Sequence, residues 1–202
     1  MTTETAFDTH RTLVLALVGP PCAGKSTAVS VLEDIGVPCR DTGDAIRAEA
    51  YDRFDGTGEP DEDYIWNVAS LIREEHGPEG PTAINKDWLW EQRANGFEVL
   101  CVASCRDEAE IEWLREHIGT TLVVRIDADS HARSERYVEK HLEDDRDVVD
   151  KDRIYELREQ LYEREYREMP YPEHDVVIRN EDSMSIRDLW RKLERVVAMM
   201  KA

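Results

Sequence analysis

Eight residues near the start of the chain have the types and spacing of a phosphate-binding loop. The pattern G-x-x-x-x-G-K-[ST] is met by Gly19, Pro20, Pro21, Cys22, Ala23, Gly24, Lys25 and Ser26. Gly19 and Gly24 let the backbone curl so that successive N–H groups point inward at phosphate oxygens. Lys25 is expected to reach the β- and γ-phosphates, and the Ser26 hydroxyl to ligate Mg²⁺. With Thr27, this stretch is predicted to bind ATP.

The elements on either side of the loop fit the same role. Leu13–Val18 is a short continuous apolar run, which predicts a strand buried on both faces. A helix is predicted to begin near Ser26 and to end before Gly36, with its positive N-terminal end facing the bound phosphates. A chance match on an ordinary tight turn is the alternative. The strand–loop–helix context favours a nucleotide site.

Length and hydropathy indicate one α/β domain. A chain of 202 residues can bury a substantial core, and neither a fixed-period repeat nor a low-complexity linker divides it. Residues 1–11 lack the basic start and apolar centre of a signal peptide and are expected to form a disordered tail. The longest apolar runs have the length of strands, far short of a membrane span. We expect a cytoplasmic, single-domain protein over residues 1–202.

The chain is strongly acidic. Its 45 Asp and Glu residues outnumber 26 Lys and Arg residues, which gives a net charge of −19, and only six of those 26 are lysines. This composition resembles that of proteins from salt-loving archaea, whose concentrated cytoplasmic salt screens self-repulsion. An ordinary acidic bacterial or archaeal protein is the alternative. In either case the charge argues against a broad nucleic-acid-binding surface, which should be basic.

The four cysteines do not have the spacing of a zinc site. Cys101 and Cys105 are four residues apart, and no histidine stands near them in the sequence. Together with Cys22 and Cys39, they are expected to be reduced, partly buried thiols.

A second motif opens the next predicted helix. Residues 41–47 read Asp-Thr-Gly-Asp-Ala-Ile-Arg, with Thr42 or Asp44 as the expected N-cap. Thr-Gly-Asp-x-x-Arg, following a loop of the form Gly-x-Pro-x-x-Gly-Lys-Ser, resembles the adenylate kinase family of nucleoside monophosphate kinases. The resemblance implies that Arg47 binds the acceptor's phosphate, with Thr42 and Asp44 in the same site, and a guanidinium fork does match phosphate oxygens. A solvated helix arginine is the alternative.

Residues 48–97 are predicted to be a mostly helical insert. One helix is expected over 61–75 and another over 83–95, the second capped by Thr82. The resemblance implies that this insert binds the acceptor. Three tryptophans within it could stack a base, although aromatic residues at helical spacing more often fill a core: Trp66, Trp88 and Trp90.

The third strand, predicted over 98–102, lacks an acidic residue at its end. P-loop enzymes usually carry an aspartate there that helps to hold Mg²⁺, and the resembled family shows it in Asp-Gly-x-x-Arg or a close variant. Ala103 or Ser104 stands at the matching place, and counting back from Arg106 favours Ala103. Arg106 matches the family's second phosphate-binding arginine. Other carboxylates that could fill the role are Asp41, Asp44 and Asp107.

A lid is predicted over residues 130–152. It begins with a helix carrying Arg133 and Arg136, which the resemblance places over the transferring phosphoryl group, where clustered positive charge stabilises the transition state. The alternative is a solvated face on which these arginines pair with Glu135 and Glu139. The acidic run that follows is expected to form the lid tip or a solvated turn.

The whole order of motifs most resembles the archaeal branch of adenylate-kinase-like and dephospho-coenzyme-A-kinase-like P-loop proteins. It implies a three-layer α/β P-loop fold with a five-stranded, mainly parallel sheet, helices on both faces, a helical insert and a short lid. After a fifth strand over 175–178, Asn180 resembles the adenine-side loop of this group.

The predicted activity is ATP- and Mg²⁺-dependent transfer of a phosphoryl group to a small phosphorylated acceptor. Phosphates would be positioned and neutralised by Lys25, Arg106, Arg133 and Arg136. The nucleophile would belong to the acceptor, so no covalent enzyme residue is expected. Three alternatives stay open: a nucleotide-binding regulatory protein with a degenerate catalytic site, a slow nucleoside triphosphatase, and a dephospho-coenzyme-A-kinase-like enzyme.

Overall fold

Apolar segments of the chain form the strands of a parallel sheet. The computed structural model describes residues 12–142, 151–181 and 184–202. Within them the strands are β1 (Leu13–Val18), β2 (Cys39–Asp41), β3 (Val99–Ala103), β4 (Thr120–Asp127) and β5 (Val176–Arg179). Their order is β2-β3-β1-β4-β5, and every neighbouring pair is parallel. The predicted α/β fold with five strands is confirmed. The tail predicted at 1–11 lies outside the described residues, as do residues 143–150 of the lid tip or turn predicted over 142–152.

Helices cover the sheet and account for most of residues 48–97, the region predicted to be a helical insert. In the described ranges they are α1 (Lys25–Asp34), α2 (Thr42–Arg53), α3 (Glu62–His76), α4 (Gly80–Ala83), α5 (Lys86–Ala94), α6 (Glu108–His117), α7 (Ser130–His141), α8 (Lys151–Glu168) and α9 (Ile186–Lys201). None of these helices combines the length and the apolar character that crossing a bilayer requires.

β1 is the central strand because both of its faces are apolar. Leu15 and Leu17 pack into a cluster with buried residues of α1 and α9. Val14 and Val18 pack into the opposite cluster, with buried residues of α5 and α6. Removal of these side chains from water is the main driving force for the three-layer arrangement. Because the strands are parallel, their carboxyl ends meet at one edge, where the loop after β1 begins.

The helix starts differ from the sequence prediction at α2. We expected Thr42 or Asp44 as the N-cap, and this was wrong. The cap is Asp41, whose Oδ1 accepts a hydrogen bond from the Gly43 N–H at 2.7 Å. Asp41 is also the last residue of β2, so strand and helix follow one another without an intervening loop.

The second predicted insert helix is broken into α4 and α5. Pro81 lies in the first turn of α4, where its fixed backbone favours a new helix start. Thr82 therefore lies inside α4 and is not an N-cap. It is buried, and its hydroxyl donates to Oε2 of Glu110 at 3.0 Å.

Two helices lie beside the carboxyl edge of the sheet. α7 and α8 pack together through an apolar cluster of Tyr137, Val138, Leu157 and Leu161. Ion pairs join α8 to α3, with Arg164 3.0 Å from Glu62 and Arg167 3.1 Å from Asp63. α8 is thus fixed on one side to α7 and on the other to the insert.

The cysteines are free thiols, as expected. Cys101 is buried in the middle of β3 and Cys105 just beyond the strand, and burial raises the pKa of both thiols. Cys22 and Cys39 are half-buried.

Candidate nucleotide-binding site

The loop between β1 and α1 has the backbone shape that its glycines predict. Gly19 has φ +134° and Gly24 has φ +105°, values that side-chain-bearing residues rarely adopt. A Cβ on Gly19 would also lie 2.1 Å from the carbonyl oxygen of Ile126 in β4. The loop is therefore pressed against the sheet, and Gly24 directly precedes the first turn of α1.

Lys25 closes over its own loop. Its Nζ donates to the carbonyl oxygens of Gly19 at 2.7 Å and Pro20 at 3.0 Å. Burial lowers the pKa of Lys25 to about 8, because the charged amine has lost much of its hydration. Lys25, Ser26 and Thr27 line a cavity of about 460 Å³ at the N-terminal end of α1. The electropositive end of that helix adds to the attraction for phosphate.

Two side chains distant in sequence support the other half of the loop. Asn180 donates through Nδ2 to the carbonyl oxygen of Ala23 at 2.8 Å. Arg136 donates to the carbonyl oxygen of Cys22 at 3.3 Å and to that of Asn180 at 3.0 Å. Arg136 also lines the cavity. The structure thus brings Arg136 and Asn180 to the loop.

Arg133 lies elsewhere, at the packing face between α7 and α8. It is buried, donates to the carbonyl oxygen of Ala128 at 3.0 Å and forms an ion pair with Glu165. It does not line the loop cavity among the described residues. The two arginines that lie three residues apart on α7 therefore differ in position, because Arg136 donates to the loop while Arg133 joins two helices.

The carboxylate nearest the end of β3 comes from the neighbouring strand. Asp41 of β2 is in register with Ala103 of β3. Its Oδ2 accepts a hydrogen bond from the Ser104 hydroxyl at 2.8 Å, and both residues line the loop cavity. Thr42 donates to the Ser104 carbonyl oxygen at 2.9 Å, which ties the two strand ends together.

The expectation that Ala103 occupies the metal-facing position was wrong. Ala103 is fully buried in the apolar cluster beneath α1, whereas Ser104 is the residue that faces the cavity. Ser104 has a φ of +68°, outside the extended region, so the strand conformation ends at Ala103 and Ser104 belongs to the turn that follows. A carboxylate at position 103 would be placed in the core, where an unpaired charge is costly.

The donor set fits a magnesium ion held mainly by nucleotide phosphates. Ser26 and Asp41 supply hard oxygen atoms at the cavity, and Mg²⁺ is usually bound through one or two such protein groups together with phosphates and water. In the part of the chain that the structure describes, no group of three or more His, Cys, Asp or Glu residues forms a separate metal cluster.

Of the four predicted acceptor residues, Arg47 and Arg106 line the cavity, whereas Thr42 and Asp44 are not among the described residues that line it. Arg47 lines it and forms an ion pair with Asp44, which is exposed. Thr42 is buried, and its hydroxyl donates to the Ser104 carbonyl oxygen rather than facing the cavity. Arg106 lies 3.1 Å from Oε1 of Glu168, and its guanidinium stacks 4.6 Å from the ring centre of Trp66.

The three tryptophans of the insert have different environments. Trp66 holds Arg106 in place through the cation–π contact, Trp88 packs against the core, and Trp90 is exposed.

Sequence reasoning missed the contribution of α8. Arg164 and Glu168 line the loop cavity together with residues of α7, namely Tyr137, Lys140 and His141. A signal was present in the sequence. Arg164 and Glu168 continue, at helical spacing, the stripe of Leu157 and Leu161, which are buried. Charged residues that extend an apolar stripe indicate buried charge.

Glu110 is a buried carboxyl group behind Arg106. Its Oε2 accepts hydrogen bonds from the Thr82 hydroxyl at 3.0 Å and from the Arg106 backbone N–H at 3.3 Å. Its Oε1 has no hydrogen-bond partner among the described residues, and Arg73 is 3.8 Å away. Burial raises the pKa of Glu110 to about 7, an effect that Arg73 only partly offsets.

Comparisons with known proteins agree with this geometry. The sequence matches a family described as AAA domain over residues 18–155. A UPF0200 protein of Methanosarcina mazei is 30% identical over 138 residues, which cover 68% of this chain and 71% of the relative. A UPF0200 protein of Halobacterium salinarum is 28% identical over 188 residues, which cover 87% of this chain and 91% of the relative.

Solved structures share the fold at low identity. TT1252 from Thermus thermophilus aligns with a TM-score of 0.55 and 20% identity, covering 94% of this chain and 98% of the other. A protein from Chloroflexus aurantiacus described as a "putative kinase" aligns with a TM-score of 0.56 and 14% identity, with the same two coverages.

The loop, the sheet order and these matches define a P-loop protein with a kinase-like fold. The chain belongs to the UPF0200 family of AAA-domain proteins, whose members among these matches come from archaea. The UPF0200 name states no activity.

The pKa of Lys25 predicts how nucleotide affinity depends on pH. Phosphates bind the protonated amine, which is lost from the free protein above about pH 8. We expect Mg·ATP affinity to be nearly constant up to pH 7 and to fall about tenfold by pH 9. Isothermal titration calorimetry in two buffers of different ionisation enthalpy should also detect proton uptake at pH 8.5.

Lys25→Arg is the matched control, because a guanidinium stays charged throughout this range. Its affinity should lack the decline between pH 7 and pH 9, and Lys25→Met should bind weakly at every pH. An equal decline in wild type and Lys25→Arg would assign the effect to another group.

The raised pKa of Glu110 predicts a pH-dependent cost to stability. Between about pH 4.5 and 7 the folded state holds a proton that the unfolded state has released, so the free energy of unfolding falls as pH rises through this window. Above pH 7 the whole cost is present, on the order of 3 kcal/mol. Relative to wild type, Glu110→Gln should therefore gain stability from pH 4.5 to pH 8, measured by urea unfolding.

The exposed Glu112 of the same helix provides the control variant, Glu112→Gln. A difference between Glu110→Gln and wild type that stays constant with pH would contradict the assignment.

Proposed function

We propose that the protein is an ATP- and Mg²⁺-dependent kinase that transfers the γ-phosphoryl group to a small phosphorylated acceptor, in the manner of nucleoside monophosphate kinases. The observation that carries this proposal is the hydrogen bond from Ser104 to Asp41. It holds a carboxylate at the sheet edge, in one cavity with Lys25 and Ser26. P-loop enzymes use a carboxylate near this place to help hold the Mg²⁺ on which phosphoryl transfer depends.

On the donor side, the chain would hold ATP by its phosphates. The loop and Lys25 would bind the β- and γ-phosphates, while Arg136 would add positive charge beside them. Ser26 would be the direct metal ligand and Asp41 would orient the metal's water molecules. The ion, when bound, supplies charge neutralisation on the β- and γ-oxygens.

On the acceptor side, two arginines support a substrate that carries its own phosphate. Arg47 and Arg106 both line the loop cavity, as Lys25 does. Guanidinium groups bind phosphate oxygens in pairs, so two of them favour a phosphorylated acceptor over a neutral sugar or alcohol. The attacking oxygen belongs to the acceptor, and the protein's task is to align it and to exclude water.

A second cavity indicates that the acceptor has a sizeable body. It measures about 930 Å³ and adjoins the first, with Arg106 and Glu168 shared by both. Its other walls come from α3 and from the segment after α8, including Trp66, Asn67 and Tyr171. An aromatic ring and polar side chains suit a planar base attached to a phosphate. Its size also accommodates a larger phosphorylated molecule such as dephospho-coenzyme A.

A slow nucleoside triphosphatase or a nucleotide-dependent regulatory protein is the second candidate function. It is favoured by the lack of an acidic residue at the end of β3 itself. A coupled assay for ADP across nucleoside monophosphates and dephospho-coenzyme A separates the two candidates. We expect at least one acceptor to raise ADP formation well above the acceptor-free rate. If none does, the kinase proposal is wrong and the second candidate stands.

The role proposed for Asp41 predicts a specific magnesium defect. Asp41→Asn keeps the size of the side chain and removes its charge, so the Mg²⁺ concentration for half-maximal activity should rise about 10- to 100-fold. Saturating Mg²⁺ should recover part of the rate. Asp52→Asn, which changes an exposed aspartate of α2, is the matched control and should behave like wild type.

An unchanged Mg²⁺ requirement in a folded Asp41→Asn protein would exclude Asp41 from the metal shell. Circular dichroism and the unfolding midpoint should accompany each titration, because Asp41 also caps α2.

A further inference from the structure

A buried glutamate occupies the junction between the two cavities. Glu168 is the last residue of α8, and its side chain is only 4% exposed. Its Oε1 lies 3.1 Å from Nη2 of Arg106 and 3.1 Å from Nε of Arg164. The carboxylate is therefore shared by two guanidinium groups from different parts of the chain.

The surroundings of Glu168 are strongly cationic. It lines the loop cavity together with Lys25, Arg106 and Arg164, and it also lines the second cavity. Its negative charge is the largest electrostatic influence that raises the pKa of Lys25 against the effect of burial. Glu168 thus neutralises the positive groups that meet where a donor phosphate and an acceptor phosphate would approach each other.

Carboxylate and phosphate are alternative partners for such arginines. A guanidinium fork presents the same pair of N–H donors to either anion. Buried arginines left without an anion would be costly, so one anion has to be present at all times. Arg164 has a second partner, Glu62 at 3.0 Å, which would keep it in position if Glu168 moved away.

We propose that Glu168 is an internal occupant of the acceptor's anion site, and that Arg106 and Arg164 exchange its carboxylate for the acceptor's phosphate on binding. This inference rests on the proposed kinase function and deepens it, because it adds Arg164 to the acceptor site and names an anionic group as the feature recognised there. It also sets specificity: a neutral acceptor cannot displace Glu168.

In this exchange the acceptor's phosphate competes with the Glu168 carboxylate for the two arginines. Removing the charge of Glu168 should therefore tighten phosphate binding. We propose to saturate the P-loop with Mg²⁺ and a non-hydrolysable ATP analogue, and then to titrate inorganic phosphate by calorimetry. Glu168→Gln keeps the shape of the side chain and removes its charge, so it should bind phosphate about tenfold more tightly than wild type. In phosphate-free buffer its unfolding midpoint should be lower, and added phosphate should restore it.

Glu165→Gln is the matched control. Glu165 lies on the same helix as Glu168 and pairs with Arg133 of α7, and neither residue of this pair is among the described residues that line the loop cavity. Its phosphate affinity should equal that of wild type. Arg164→Gln should weaken phosphate binding in both the wild-type and the Glu168→Gln backgrounds. If Glu168→Gln does not fold, Glu168→Asp withdraws the carboxylate by one methylene and should tighten binding by a smaller factor.

Unchanged or weaker phosphate binding in the folded Glu168 variant would overturn the proposal. Loss of kinase activity with unchanged phosphate binding would overturn it as well, because Glu168 would then act on the attacking oxygen. The binding measurement needs no turnover, so it is separable from the kinase proposal. Tighter phosphate binding without any phosphorylated product would preserve this anion site and reject the kinase.

Discussion

The conformation of the loop after β1 depends on hydrogen bonds that its carbonyl groups accept from side chains. Lys25 donates to Gly19 and Pro20, Arg136 to Cys22, and Asn180 to Ala23. These donors come from α1, from α7 and from the segment after β5, so the loop is fixed only when the sheet is assembled. Because the loop already has its shape before ATP binds, binding does not carry the entropic cost of ordering the loop. The preformed loop also places its N–H groups where they stabilise charge in the transition state.

Charge balance is the second constraint on this cleft. The chain carries a net charge of −19, yet arginines from α2, α7, α8 and the end of β3 converge on one cavity. Buried carboxylates accompany them, with Glu168 between Arg106 and Arg164 and Glu110 beneath the Arg106 backbone. Positive charge is therefore concentrated where phosphates would bind, while Arg106 and Arg164 keep an anionic partner in Glu168.

The parts of the fold and of the candidate site that could be predicted from the sequence are those fixed by residues close together in the chain. The β1–loop–α1 unit follows from an apolar run, two glycines and a lysine, and it was predicted closely. The carboxylate of Asp41 could not be assigned, because its place beside Ser104 depends on β2 pairing with β3. Ala103 was preferred to Ser104 by counting along a motif, but Ala103 is buried in the core, and Ser104, in the turn after the strand, lines the cavity. The position of Glu168 could not be predicted either, because its contact with Arg106 depends on how α8 packs in the fold.

The most direct measurement follows the γ-phosphoryl group of ATP labelled at that position. With Mg²⁺ and a panel of phosphorylated acceptors, the label should appear in an organic phosphate product in the same amount as ADP, and its transfer should require Mg²⁺. The aspartate at the sheet edge and the arginines that line the same cavity both predict transfer to an acceptor. Label recovered only as inorganic phosphate, at a rate that no acceptor changes, would contradict the kinase.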